Sequence, residues 1–222
     1  KKAVEVTGDM SSGKENKQII ESLGARTIEQ LTELNQILDK SPPAASTYPT
    51  SGFARQMRDI AKIIKAQRGL EVTALDIGGW DHHINIAGLH PFTCRQADQP
   101  AAGLVKDLKQ RGLLDDTLVL FGSEFGRTSF AQGAQNGAPG RDHHGGNCTW
   151  WLAGASVRAG HTHGETDDFS YNIVKDPVSI YDLNATLLHI LGIEHQRLTY
   201  RSQGRDFRLT DVHGEVVRGV LT

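Results

Sequence analysis

The chain has 222 residues, 38% of them hydrophobic and 23% charged, with a formal net charge of -2. That length suits one sizeable α/β domain, and the near-neutral balance gives no reason to expect nucleic acid or an anionic membrane surface as partner. No apolar run approaches the roughly 20 residues of a membrane-crossing helix, and two cysteines, Cys94 and Cys148, are too few and too far apart for a disulfide framework or a zinc knuckle.

The chain opens KKAVEV, without an initiator methionine or a signal peptide, so a fragment or processed form is expected. TIEQLTELNQILDK predicts a helix, with Ile28, Leu31, Leu34 and Leu38 at near-helical spacing. SPPAASTYPTSG breaks it with three prolines and small polar residues. Residues 1–50 are thus expected to form a helical segment and a Pro-rich connector, and residues 51–222 the main α/β domain. GFARQMRDIAKIIKAQRG sets Phe53, Met57, Ile60 and Ile64 on one stripe, with Gly69 as its stop.

LEVTALDIGG then reads as a buried strand that delivers Trp80 and Asp81 at its carboxyl end. QPAAGLVKDLKQRG predicts a helix with Leu104, Val105 and Leu108 inward. DDTLVLFGSEFGR is a second buried strand and NCTWWLAG a third. PVSIYDLNATLLHILGI is a helix with Ile180, Leu183, Leu187, Leu188 and Leu191 inward and Gly192 as its cap. Strands alternating with helices in this order predict an α/β fold, a mostly parallel sheet flanked by helices.

Chemistry concentrates in the second part of the chain: all ten histidines lie between His82 and His213. Ligands of parallel sheets sit beyond the carboxyl ends of strands. Three such ends offer Asp81 with His82 and His83, then Glu124, then Asp142 with His143 and His144. In WDHH, Asp81 and His83 are two apart and face one side of an extended segment. GRDHHGGN adds three donors, and its glycines let the backbone bend toward an ion. Imidazole with carboxylate suits zinc or manganese first and iron next, whereas calcium prefers an all-oxygen shell. Arg127 is placed to hold an anionic substrate oxygen through its planar fork. Each motif also has a plainer reading. WDHH serves equally as a cap or turn, the histidine doublet as a solvated loop, and Glu124 as an ion-pair partner of Arg127. His189 reads as a packed helix histidine, and His161 and His163 as loop residues. The joint occurrence of acids and histidine doublets at strand ends favours a metal.

GGWDHH, LLDDTLVLFGSEFGRT, GRDHH, HGETDDFSY, DLNATLLHILGI and GRDFRLTDVHGEVV, in this order, resemble the bacterial family DUF1501, a domain of unknown function. Members of that family carry a twin-arginine export signal and a further N-terminal portion, which implies a periplasmic or secreted setting. The family is in turn similar to the alkaline phosphatase and sulfatase superfamily. That resemblance places Ser123, Glu124, Phe125 and Gly126 on a Ser-Asp-His-Gly segment. It places Asp81, His83 and His143 or His144 at the first metal, and Asp182–Ile193 on a sulfatase helix. Glu124 stands for Asp and Phe125 for a metal-binding histidine, so a second metal lacks a ligand. The superfamily's nucleophile has no counterpart here, and no Cys-x-Pro-x-Arg motif occurs. The resemblance implies a metal-dependent hydrolase of phosphate or sulfate esters acting on a small-molecule or glycan substrate. The alternative is a catalytically silent, exported, metal-containing module that binds an anion or glycan.

Overall fold

The computed structural model describes residues 13–133 and 137–222; the opening KKAVEV lies outside them. The chain divides into two compact units, one holding the residues up to Ala44 with Asp59–Thr73, the other Ala45–Arg58 with Ala74–Thr222.

In the first unit the leading helix, α1, spans Gly13–Lys40. Leu34 and Leu38 are half-buried, whereas Ile28 and Leu31 stay exposed. α2, Gly52–Ala66, runs through the boundary between the units. Its predicted stripe of Phe53, Met57, Ile60 and Ile64 is half-buried, and the fully covered positions are the small residues Ala54 and Ala61. The helix stops before Gly69, because Gln67 already adopts a left-handed conformation.

The second unit is built on α3, Ile86–Gln110. It starts well before the predicted segment and carries Pro91 and Pro100 inside it, each removing one backbone donor that an uninterrupted helix would use. Ala97, Ala101, Leu104 and Leu108 form its buried stripe at helical spacing. Asp107, fully buried beside them, accepts the Ala45 N–H at 2.9 Å, the Tyr48 hydroxyl at 3.3 Å and Arg111 Nε at 2.7 Å. Burial, the Asp107 charge and this hydrogen bond push the Tyr48 phenol well above its ordinary value. α4, Ile180–Ile190, opens with a capping box between Ser179 and Asp182. Both α3 and α4 end in paired bonds characteristic of a left-handed glycine cap: Gly112 N to Lys109 O with Leu113 N to Leu108 O, and Gly192 N to His189 O with Ile193 N to Leu188 O. In α4 the covered side chains are Ala185, Thr186 and Leu188, while Ile180, His189 and Leu191 face outward.

The expected α/β fold with a mostly parallel sheet is overturned. Among the described residues the strands form two-stranded sheets, all of them antiparallel. β1, Leu118–Phe121, pairs with β4, Trp151–Gly154; β2, Gly126–Arg127, pairs with β3, His143–His144. β5, Glu165–Thr166, joins β6, Ile173–Lys175, and β7, Thr199–Ser202, joins β8, Arg205–Arg208, in short ribbons. The run LEVTALDIGG takes no regular secondary structure and enters no ladder, and Val72 is 76% exposed. Parallel neighbours need a crossover, usually helical. Among the described residues between them, 122–133 and 137–150, there is no helix, and the β2–β3 ribbon lies between β1 and β4, which pair antiparallel. No helix among the described residues is long and apolar enough to cross a membrane. Cys94 is half-buried and Cys148 exposed, and both are free thiols.

Candidate metal centre

The segment Asp81–Ile84, within the second unit, lies just ahead of α3 and is pinned on one side by the β2–β3 loop. Arg141 N donates to His82 O at 3.1 Å, Asn85 N to Ala138 O at 2.8 Å and Ile86 N to Pro139 O at 3.1 Å. This close approach explains the first glycine of GRDHHGGN. A Cβ on Gly140 would lie 2.1 Å from the His83 carbonyl carbon and 2.3 Å from the His82 oxygen.

The alternation of side chains along this segment divides its residues between two environments. His82 turns inward, 4% exposed, with Nε2 3.4 Å from Thr93 Oγ1 and its ring edge-on to His90. Burial, then His82 and Arg141, hold His90 below the usual imidazole value. Asp81 and His83 turn the other way, with His83 Nε2 2.8 Å from Asp81 Oδ1. β3 supplies the third member: His143 Nε2 stands 3.1 Å from Asp81 Oδ1 and 3.1 Å from His83 Nε2. These ligand atoms lie within 4.8 Å of one another and could hold a metal ion. Neighbouring ligand atoms around an ion with bonds of about 2.1 Å stand roughly 3.0–3.4 Å apart, from octahedral to tetrahedral angles, so little rearrangement is required.

The register of β2 and β3 sets the surroundings. Arg127 pairs with His143 and Gly126 with His144. Arg127 Nη2 donates to Asp81 Oδ1 at 2.9 Å and to Trp80 O at 3.1 Å, while Nη1 donates to Arg141 O at 3.0 Å. Hydrogen bonds from His143 and Arg127 hold the Asp81 carboxyl at about 2, well below the usual carboxylate value. Phe125, which stands where the resemblance expected a metal-binding histidine, stacks on His143 with centroids 4.2 Å apart.

The remaining predicted site residues fall elsewhere. Asp142 Oδ1 accepts the His143 N–H at 2.8 Å and lies 3.7 Å from His83 Nδ1. His144 projects to the opposite side of its strand, donating from Nε2 to Tyr171 O at 2.7 Å and stacking on that ring. Glu124 is exposed and accepts the Ser123 hydroxyl at 3.1 Å; it is outside the cluster of three. Gln132 enters unannounced by any pattern in the sequence: its Oε1 is 2.6 Å from His83 Nδ1.

Two imidazoles and a carboxylate on facing backbone segments, with a guanidinium beside them, define a candidate divalent-metal centre. The chain belongs to the family described as Protein of unknown function (DUF1501), whose model matches residues 9–221. No curated protein and no solved structure matches, so neither comparison extends the motif likeness to the alkaline phosphatase and sulfatase superfamily.

Proposed function

We propose that this chain is a metal-dependent hydrolase of phosphate or sulfate esters, with one divalent ion held by Asp81, His83 and His143. The observation that carries the reading is the convergence of those three ligand atoms beside Arg127. Zinc or manganese suits the donor set best, and iron is the next choice. A divalent ion held there by Asp81, His83 and His143 would supply Lewis acidity toward an ester oxygen and lower the pKa of water. Arg127 commits three of its bonds to Asp81, Trp80 and Arg141, which leaves two of its five N–H groups for an anionic oxygen. Gln132, with Asp142 on the same side, orients the His83 imidazole, and Phe125 stacks on that of His143. Glu124 and His144 act outside the ligand set. The substrate is a small-molecule or glycan ester. A periplasmic or secreted setting belongs to this reading through the family resemblance.

One observation favours a catalytically silent binding module as the second reading. Among the described residues no Ser, Thr or Cys side chain bonds to the three ligand atoms. Thr128 Oγ1 is engaged with Phe130 O and Asp142 N, and Ser123 Oγ with Glu124 and Phe125 O. Hydrolysis would therefore use water as its nucleophile.

The deciding experiment is metal content by elemental mass spectrometry on untagged protein, with Asp81→Ala and His143→Ala beside the wild type. Near-stoichiometric zinc, manganese or iron that both variants lose supports the centre, and an ester screen of the loaded protein then separates hydrolase from binding module. No metal after incubation with each ion would remove both readings.

A further inference from the structure

Gln132 lies between β2 and β3, outside every motif that singled out the candidate ligands. Its backbone is held by a two-bond bridge: Gln132 N donates to Gly140 O at 2.9 Å, and Gly140 N to Gln132 O at 2.7 Å. Its neighbour Gly133 has φ +103, and a Cβ there would lie 2.9 Å from His83 O. The loop is thus pressed on the His83 backbone from two glycine positions. The half-buried Gln132 side chain brings Oε1 to 2.6 Å from His83 Nδ1. The carboxylate of Asp142 is on the same side, 3.7 Å from Nδ1.

Gln132 Oε1, at hydrogen-bond distance, favours a proton on Nδ1, and the Asp142 charge on the same side adds to that preference, against the competing pull of Asp81 Oδ1 on Nε2. A neutral imidazole carries one N–H. If Nδ1 donates to Gln132, then Nε2 is left with a lone pair directed at Asp81 Oδ1, 2.8 Å away, and at His143 Nε2, 3.1 Å away. In the metal-free protein the His143 Nε2–H, 3.1 Å from both Asp81 Oδ1 and His83 Nε2, serves both acceptors, and a bound ion would take the place of that one proton. An imidazole fixed in that tautomer is already prepared as an Nε2 ligand, with no proton to lose from the ligating atom.

We infer that Gln132 is a positioning residue of the metal centre, fixing His83 as its Nδ1–H tautomer so that Nε2 is presented as a ligand. The inference rests on the metal reading above for its purpose, but its physical content is the state of one ring and is measurable without any metal. Gln132 touches the ligand and not the ion. Its effect therefore passes wholly through His83.

The test uses imidazole-labelled full-length protein, metal-free, at a pH well above the ordinary imidazole value of about 6.5. Nitrogen shifts and long-range couplings of the His83 ring report which nitrogen carries the proton. The wild type is expected to show Nδ1–H. Gln132→Leu is expected to mix the tautomers while the remaining amide spectrum stays in place, and Gln132→Glu, which keeps an acceptor at that point, is expected to restore Nδ1–H. Titration with zinc alone should then show a 10- to 100-fold weaker Kd for Gln132→Leu and near-wild-type affinity for Gln132→Glu, the range that outer-shell partners of metal-bound histidines command. A wild-type His83 in its Nε2–H form would overturn the inference whatever the metal result. An unchanged Kd in Gln132→Leu would overturn it as well. Nδ1–H in a wild type that binds no metal would instead sink the metal reading and leave the tautomer assignment standing, so the two failures are distinguishable. Should Gln132→Leu fail to fold, the wild-type and Gln132→Glu spectra still decide the assignment.

Discussion

Replacing Gly140 by alanine adds one carbon at the point where two backbone segments meet, and the structure allows the cost to be worked out. The new Cβ would lie 2.1 Å from the His83 carbonyl carbon and 2.3 Å from the oxygens of His82 and His83. Those are backbone atoms, so no side-chain rotation relieves the overlap, and the segments must part by about 1 Å to regain van der Waals contact. Parting strains the bonds from Arg141 N to His82 O, from Asn85 N to Ala138 O and from Ile86 N to Pro139 O. At about 0.5–1.5 kcal/mol net for each, the expected loss is roughly 2–4 kcal/mol, within the upper range of overpacking substitutions. Gly145 of the same motif is the control, because a Cβ there meets nothing within 4 Å. Urea unfolding of Gly140→Ala, Gly145→Ala and wild type measures the difference, and zinc titration reports whether His83 and His143 still converge. Gly140→Ala within about 0.5 kcal/mol of Gly145→Ala, with unaltered zinc binding, would refute the account of why this motif needs its first glycine.

Two further predictions concern α4. Thr186, 2% exposed, accepts the Val217 N–H at 2.9 Å and donates to Asp182 O at 2.7 Å; Thr186→Val should cost about 1–3 kcal/mol in urea unfolding by leaving that N–H without an acceptor, and a neutral result would mean the C-terminal segment is not anchored there. Burial raises the Asp182 carboxyl, but hydrogen bonds from Ser179 and the Glu215 N–H outweigh it and hold the group below its usual value. Its stabilisation is therefore present above the unfolded value of about 3.9 and lost as pH falls through the depressed folded value. The stability gap between wild type and Asp182→Asn should accordingly be constant near neutrality and close below about pH 4; a gap that persists at the lowest pH would contradict it.

Much of the helical structure was legible because it obeys local rules. Apolar spacing located α2 and α4, and left-handed glycines close α3 and α4 where the chain places Gly112 and Gly192. Tertiary pairing was not legible. An apolar run such as LVLF announces a strand without saying which way its partner runs, and β1 found its partner at Trp151–Gly154, with no helix among the described residues between them. LEVTALDIGG is also apolar-rich and enters no ladder. The site divides along the same line. Two-residue spacing put Asp81 and His83 on one side, as period-two geometry requires. Only the register of Arg127 against His143 decides which member of the histidine doublet joins them, because adjacent residues on a strand face opposite ways. Gln132 could not have been found from sequence, since a single polar loop residue has no period to betray it.

Arg127 gives the proposed chemistry a test of opposite signs. Its Nη2 bonds to the same Asp81 Oδ1 that would ligate the ion. With an ion bond of about 2.1 Å beyond that oxygen, guanidinium and ion would stand about 5 Å apart. Like charges at that separation repel, and in the solvent-rich setting of Asp81, 72% exposed, a divalent ion should lose on the order of tenfold in affinity to the guanidinium. An anionic ester oxygen bound between the two relieves the repulsion and is attracted by both. Arg127→Gln is therefore expected to tighten zinc about tenfold in the absence of anions. It should also weaken binding of inorganic phosphate to the zinc-loaded protein. Calorimetric titration of each, at low and at moderate salt, separates the effects, and the zinc gain should shrink as salt screens the exposed charges. If Arg127→Gln weakened zinc as Asp81→Ala does, Arg127 would be a scaffold for Asp81. The pairing of ion and guanidinium around an anion, on which the ester-hydrolase reading depends, would then have to be abandoned.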